Sequence, residues 1–500
     1  VVAVIYWPTY RLWLVSDAWV VLERLRQGFW PAVATPIGYH WQPVACAWVA
    51  LLRGIFGERP AAFQAVNLAQ LTLLGHLAYR LGRRVLPDSR AACLGSLLVL
   101  GSASFYEATY WPLAGNMHLL GANLYVLAVI LAHDIARGRL GRTGPWLLGL
   151  TVLASVFSHP ATITAVPVCA LTLLLVGRDR PDSEPHGPRR VWKPWALLPL
   201  LAVAALFGVA RMAFDVHFEM APKPGVDAER LFWLVRRGLI GLFSLQGSPI
   251  FVDSLMTLGT RPAPGTPSMS LVVGIWLVAA SGAAALLFWR ARTSGLRLLI
   301  GFLGIQLAAL TLAGGLTPRQ CVIPAVPAAL LTAGALRAAA DRLARSAPTA
   351  ARAAVSRAAP AGVVLLLVVA AQPDHQTAAR LNIRAGDAAR ALVERIGAVA
   401  PAGHEPVDLM LVNMPSIMLD RGIGAFAFAN GVEELAYAAS PAVSTVELRQ
   451  MPGWGPPDYV FPFIRSLTPG ALRSQLADRY RVLLVFEREP FGVRTVTLKD

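Results

Sequence analysis

Apolar blocks of roughly 15 to 22 residues recur along the first three quarters of the chain, close to the ~20 needed to cross a bilayer as helix. About eleven candidate spans follow. They lie near 1–14 (incomplete), 61–81, 91–109, 113–132, 146–157, 161–176, 195–211, 270–288, 298–312, 321–336 and 362–371. The first opens Val-Val-Ala-Val-Ile with no basic residue ahead of it. It reads as the tail of a membrane helix rather than as a cleavable signal peptide. Two further apolar stretches carry arginine in their middle: QPVACAWVALLRGIF (42–56, with Arg53) and RLFWLVRRGLIGLFSL (230–245, with Arg236 and Arg237). A midplane arginine is costly, so both are expected to lie in the membrane interface. Beyond residue 371 the pattern changes. QTAARLNIRAGDAARALVERI has helical periodicity, while VDLMLVNMP and VSTVELRQ read as strands. TPGALRSQLADRYRVLLVFE offers Thr468 as N-cap and Pro469 at the first helical position, then a helix and a strand. The expected fold is an all-α polytopic membrane part (1–371) followed by a small α/β domain (372–500), with 345–360 resembling a linker.

Composition agrees with that picture: 55% of residues are hydrophobic and 15% charged, with a mean hydropathy of +0.53. Soluble domains carry about 25% charge. The net charge of +16 comes almost wholly from arginine; the lysines are Lys193, Lys223 and Lys499. Those arginines occupy alternate short loops. One set holds Arg80, Arg83, Arg84 and Arg90, then Arg137, Arg139 and Arg142, then Arg178 to Lys193, Arg290 to Arg297, and Arg337 to Arg357. The intervening loops are nearly free of positive charge, with Arg319 alone before Cys321. By the positive-inside rule the arginine-rich loops are cytoplasmic. The N-terminus is then cytoplasmic, and the two arginine-bearing interfacial helices and the C-terminal domain face out. Arginines spread over loops, rather than along one face, exclude nucleic-acid binding as a good reading. The four cysteines sit in or beside apolar segments and support neither a disulfide framework nor a cysteine zinc site. The Ala/Arg/Gly-rich, Lys-poor composition suggests a GC-rich bacterial genome, and with it a multi-pass protein of the cytoplasmic membrane.

This topology gathers Asp17, Tyr39, His40, Trp41, Gln42, Glu107, Trp111, Asn116, His118, His159, Arg236, Arg237 and Arg319 on the outer side. Ionisable groups at the mouths of membrane helices are functional suspects. Each also has a plainer reading: a helix-end carboxylate for Asp17 and Glu107, a head-group anchor for the arginines, an interfacial polar residue for the histidines. Rim Trp and Tyr belong mostly to the aromatic belt.

The order of motifs is more specific than any one of them. SDAW follows the first span, then YHWQPVACAWVALLRGIFGERPAAFQAVNLAQ, then YEATYWPLAGNMHLL, and late in the membrane part LTPRQCVIPAVPAALL. This order resembles the GT-C class of polyprenyl-phosphate-dependent glycosyltransferases, the protein mannosyltransferase-like group, over roughly 1–336. The resemblance implies an acid ending the first helix (Asp17), a Pro-containing interfacial helix leading into the second span, and an arginine opening a late helix (Arg319). Asp17 is followed by Ala18, where many members carry a second acid, and Gln320-Cys321 stands where an aromatic is usual.

What the resemblance implies is an enzyme moving a sugar from a polyprenyl-phosphate donor to a glycan, lipid or protein acceptor at the outer face. Inverting transfer needs a base for the acceptor hydroxyl and cations for the lipid phosphate that leaves. Asp17 is the expected base. Arg319, Arg236, Arg237 and His40 are the expected phosphate ligands, since guanidinium suits phosphate. Glu107, His118, Tyr39, Trp41 and Trp111 are expected to contact substrate. No metal-ligand set is assigned, and the resemblance leaves a divalent metal open as cofactor. A transporter or lipid flippase is the chief rival, yet such folds place their polar groups near midplane, in broken helices and repeats. A non-catalytic envelope assembly protein is a third reading, and it needs no lipid-phosphate site.

Overall fold

The computed structural model describes residues 2–36, 41–178, 194–213, 242–243, 245, 293–312, 318–346, 349–403, 405–420, 423–428, 431–450, 459–460, 465–466, 482–487 and 492–496. The interfacial helix expected at 230–245, the span expected at 270–288 and the helix expected after Thr468 lie outside the described residues, apart from 242–243 and 245. Among the described residues five helical stretches are long and apolar enough to cross a membrane, and four shorter apolar helices accompany them.

The chain opens with α1 (Val2–Ile5) and a 3-10 turn at Trp7–Arg11. The span expected at 1–14 is therefore not one continuous helix. Pro8 has no N–H to donate, and Thr9 Oγ1 donates to Tyr6 O at 2.6 Å, which closes a local turn instead. Next come α2 (Asp17–Gln27), α3 (Phe29–Ala34) and α4 (Pro43–Phe56). Asp17 thus begins a helix rather than ending one. The stretch expected to be interfacial forms α4, whose 14 residues reach about 21 Å, short of a bilayer core. Leu51, Ile55 and Phe56 are exposed along it.

The bundle is built from α5 (Pro60–Val85), α6 (Ser89–Leu100), α7 (Tyr106–Tyr110), α8 (Pro112–Ala136), α9 (Gly144–Ser158), α10 (Ala165–Arg178), α11 (Leu198–Ala213), α12 (Ser294–Leu312), α13 (Val322–Ser346) and α14 (Thr349–Ala370). Pro within the first two positions of α4, α5, α8 and α9 starts each helix where its missing N–H costs nothing. α8 is largely apolar and mostly buried, packed by α5, α9 and α10, and its buried polar side chains Asn116 and Asn123 hydrogen-bond to α5.

Two further stretches depart from the expected pattern. The span at 91–109 ends at Leu100. The chain then turns through Gly101–Ser104, with Ser102 Oγ and Ser104 Oγ 2.8 Å apart and Ala103 N donating to Leu245 O at 2.8 Å. The linker expected at 345–360 is largely helix, within the end of α13 and the first half of α14. Alanine and arginine, which fill that stretch, are among the strongest helix formers.

α15 (Gln372–Val399) follows α14 directly and carries the C-terminal α/β part. A five-stranded sheet runs β6-β4-β1-β7-β8, from β1 (Val407–Val412), β4 (Val443–Gln450), β6 (Arg465–Ser466), β7 (Val482–Glu487) and β8 (Gly492–Val496). β1 pairs in parallel with both β4 and β7, so its run Leu409–Val412 is buried. β2 (Ile417–Asp420), β3 (Ile423–Phe426) and β5 (Tyr459–Val460) form a smaller antiparallel sheet, and α16 (Val432–Ala439) packs on α15, β4 and α2. The strands expected from VDLMLV, VSTVELRQ and VLLVFE are β1, β4 and β7.

Polar contacts sort the bundle into two ends. Arg84 grips Asp134 with two hydrogen bonds (2.9 and 2.6 Å), Arg139 reaches the same carboxylate, and Arg337 pairs with Asp88 at 2.7 Å. Three arginine-rich loops therefore meet at one end. α5 runs about 39 Å from there, and Gln64 and Asn67 at its other end hold the loop that enters α8.

Candidate functional site

A seam of buried amides between α5 and α8 sets the loop in place. Gln64 Nε2 donates to Thr109 O (2.9 Å) and Asn67 Nδ2 to Trp111 O (3.1 Å). Asn116 Nδ2 donates to Phe63 O (2.8 Å) and its Oδ1 accepts from Gln70 Nε2 (2.8 Å). Buried amides are favoured when so partnered; Gln64 and Asn67 meet the carbonyls that α7 and its exit leave open, while Asn67 Oδ1 and Gln70 Oε1 have no partner among the described residues. Gly115 is required at this crossing: a side chain there meets Ala108 O and Asn67 Nδ2. Tyr110 and His375 fix the loop from the other side. His375 Nε2 lies 3.2 Å from Gly101 O, and a carbonyl can only accept. Nε2 therefore carries the proton, and Nδ1 accepts from the Tyr110 hydroxyl at 3.0 Å.

The loop so held presents Glu107, 4% exposed. Its Oε2 accepts from the backbone N–H of Arg319 at 3.3 Å, and its Oε1 is buried with no hydrogen-bond partner among the described residues. Burial pushes the Glu107 carboxyl up to about 7, with the Arg319 charge and N–H bond pulling the other way. Arg319 sits in a 3-10 turn (Pro318–Cys321) just ahead of α13. Its guanidinium carbon is 5.7 Å from the centroid of the Trp111 ring and 5.4 Å from that of Phe426, within cation–π range of both. The two rings stack at 5.2 Å and 28°.

Trp111 also reaches the N-terminal segment: its Nε1 donates to Val15 O at 3.1 Å. Asp17 is two residues on, its Cα at most about 7.6 Å from that of Val15. Ser16 between them has φ 51, a left-handed conformation costly for a non-glycine residue. The turn is held from outside by Gly431, whose own φ of +72 and close approach to Ser16 O leave no room for a side chain.

Of the residues expected from sequence, Glu107, Trp111 and Arg319 come together, with Asp17 at the adjoining turn. Trp41 and His118 lie elsewhere. Trp41 donates to Val33 O (2.9 Å) and meets Phe157 edge-on, while His118 and His159 face one another with ring centroids 4.3 Å apart. Tyr39, His40, Arg236 and Arg237 lie outside the described residues. Phe426 and Tyr106 were missed. Tyr106, inside YEATYWPLAGN, accepts from Gly424 N at 3.0 Å. Phe426 ends a short strand buried along its whole length, whose sequence says nothing of its neighbours. Among the described residues no three or more His, Cys, Asp or Glu side chains are grouped to hold a metal.

No family model and no curated protein matches the chain. Solved structures are similar to it. The oligosaccharyltransferase of Archaeoglobus fulgidus in its apo form aligns over 82% of this chain and 62% of that one, with 15% identity and a TM-score of 0.41. The same enzyme tethered with an acceptor peptide containing the NVT sequon aligns over 74% of this chain and 53% of that one, with 18% identity and a TM-score of 0.38. The chain thus spans little more than half the length of that oligosaccharyltransferase. ArnT from Cupriavidus metallidurans, bound to undecaprenyl phosphate, aligns over 97% of this chain and 92% of that one, with 12% identity and a TM-score of 0.43.

Proposed function

We propose that the chain is a membrane glycosyltransferase that moves a sugar from a polyprenyl-phosphate donor to an acceptor hydroxyl at the outer face of the cytoplasmic membrane. The observation that carries this reading is the meeting of Glu107, Arg319 and Trp111 beside the Asp17 turn, at the end of the bundle opposite the arginine-rich loops. An acid and a guanidinium at the mouth of membrane helices supply the two things the reaction needs. The acceptor oxygen attacks the anomeric carbon as its proton passes to a carboxylate, and the carbon–oxygen bond to phosphate breaks. Arg319 stabilises the charge that grows on the leaving lipid phosphate. In this reading Asp17 takes the proton and Trp111 packs on the sugar or prenyl chain, with Tyr39, His40, Arg236 and Arg237, which lie outside the described residues, proposed to complete the substrate surface.

A second assignment of the base is favoured by one observation. Glu107, with one oxygen lacking a hydrogen-bond partner among the described residues and a carboxyl raised to about 7, is set to exchange a proton near neutrality. The test is transfer by the purified protein in nanodiscs, offered polyprenyl-phosphate hexoses and pentoses and a lipid, glycan or peptide acceptor. Release of polyprenyl phosphate coupled to a glycosylated acceptor is expected. Translocation of the intact donor without transfer would make the protein a flippase instead.

A further inference from the structure

The C-terminal α/β part reaches the Arg319 side of the site through β3. β3 is pinned by Gly424 N donating to the hydroxyl of Tyr106, the residue beside Glu107. Two positions on, Phe426 stacks on Trp111 and lies under the Arg319 guanidinium. Arg319 has its backbone N–H committed to Glu107, and its side chain lies against both rings. Without Phe426 one of those two faces is gone, and a long side chain recovers the rotamer freedom that packing had removed.

We propose that Phe426 is a positioning residue for Arg319: with Trp111 it holds the guanidinium aimed into the site, so the C-terminal part completes the donor-phosphate site. The role assigned to the guanidinium rests on the transferase reading above; the positioning itself does not. An aromatic face suits the task because it attracts the cation without neutralising it, leaving the charge for a phosphate. A carboxylate in the same place would compete with the ligand.

The test uses the full chain in nanodiscs, with Phe426→Leu, Phe426→Tyr, Arg319→Gln and the Phe426→Leu/Arg319→Gln pair. Two readouts are taken: donor KM and kcat, and the reactivity of Arg319 toward phenylglyoxal, followed by peptide mass spectrometry. Phe426→Leu is expected to raise donor KM roughly 3- to 30-fold with kcat nearly unchanged, the range expected for one lost cation–π contact. Phe426→Tyr, which keeps the ring, restores the parental KM. In the Arg319→Gln background the Leu substitution adds nothing, because a residue acting through Arg319 has nothing left to act on. Arg319 labels faster in Phe426→Leu and at the parental rate in Phe426→Tyr. An equal KM penalty with and without Arg319, or unchanged labelling in Phe426→Leu, overturns the proposal. Should Phe426→Leu not fold, Tyr106→Phe removes only the acceptor of the Gly424 N–H and releases β3. Faster Arg319 labelling then supports the proposal, and unchanged labelling overturns it. A parental protein that transfers no sugar from any donor would sink the transferase reading, while the labelling arm still decides the role of Phe426.

Discussion

Arg319 and Glu107 are joined through the backbone: the N–H of Arg319 donates to Glu107 Oε2 at 3.3 Å, leaving the guanidinium to two aromatic rings. The carboxylate therefore fixes where α13 begins without forming a side-chain salt bridge with that arginine.

Replacing Arg319 by Gln is expected to weaken donor use more than stability. The backbone bond to Glu107 survives the change, and what packing loses is the side chain's contact with the Trp111 and Phe426 rings. Donor KM should rise at least about tenfold, in line with the loss of a charged hydrogen bond to phosphate. An unchanged KM would return Arg319 to the role of a head-group anchor.

Asp17→Asn and Glu107→Gln separate the two candidates for the base. The one that accepts the proton should lose roughly 10²–10⁴-fold in transfer rate on amide substitution, with donor binding preserved. If Glu107 is that residue, the parental rate rises through pH about 7 as its carboxyl ionises. A flat profile across that range, with a large loss in Asp17→Asn, assigns the proton to Asp17.

Stability should show the same carboxyl. Glu107 is raised from 4.5 to about 7 in the fold, so the folded state holds its proton more tightly than the unfolded chain does. Stability is then full below pH 4.5 and falls as pH rises through 7, by up to about 3 kcal/mol. Glu107→Gln removes that penalty. Its melting temperature should exceed the parental one at pH 8, and the gain should shrink toward pH 5. Equal gains at both pH values would mean that Glu107 is not titrating in this range.

Trp111→Phe keeps a ring beside Arg319 and Phe426 but removes the indole N–H that holds Val15 O. The lost hydrogen bond costs about 1 kcal/mol, small enough to leave the protein folded. The Val15–Asp17 turn is released, so kcat should fall while donor KM stays close to parental. A raised KM with unchanged kcat would place the role of Trp111 at Arg319 alone.

Reporter fusions test which end faces out. A fusion after Ser346, beyond the Arg337–Asp88 pair, should report cytoplasmic, and one at the carboxyl end should report extracytoplasmic. A periplasmic signal after Ser346 inverts the whole assignment, and with it the side on which Arg319 meets its donor.

Helix and strand periodicity are local, and so the sequence alone predicted most of the bundle helices and the strands β1, β4 and β7. It went wrong where a local rule competed with the expected span. Pro8 broke the first helix, the Gly101–Ser104 turn divided another, and a run of Ala and Arg turned an expected linker into helix. Chemistry was visible in the same way: Asp17, Glu107, Trp111 and Arg319 stand out because polar groups at the ends of apolar blocks are rare. Which of them meet could not be read there. Glu107 and Arg319 are 212 residues apart along the chain, and Trp41 and His118 carried the same sequence signals yet lie in other contacts. Only the packing of α5, α8 and α13 decides that, because it sets which helix ends lie side by side. Phe426 carries no signal at all in its own strand, since its role comes from the ring it stacks on and the cation above it, and both are supplied by the other half of the chain.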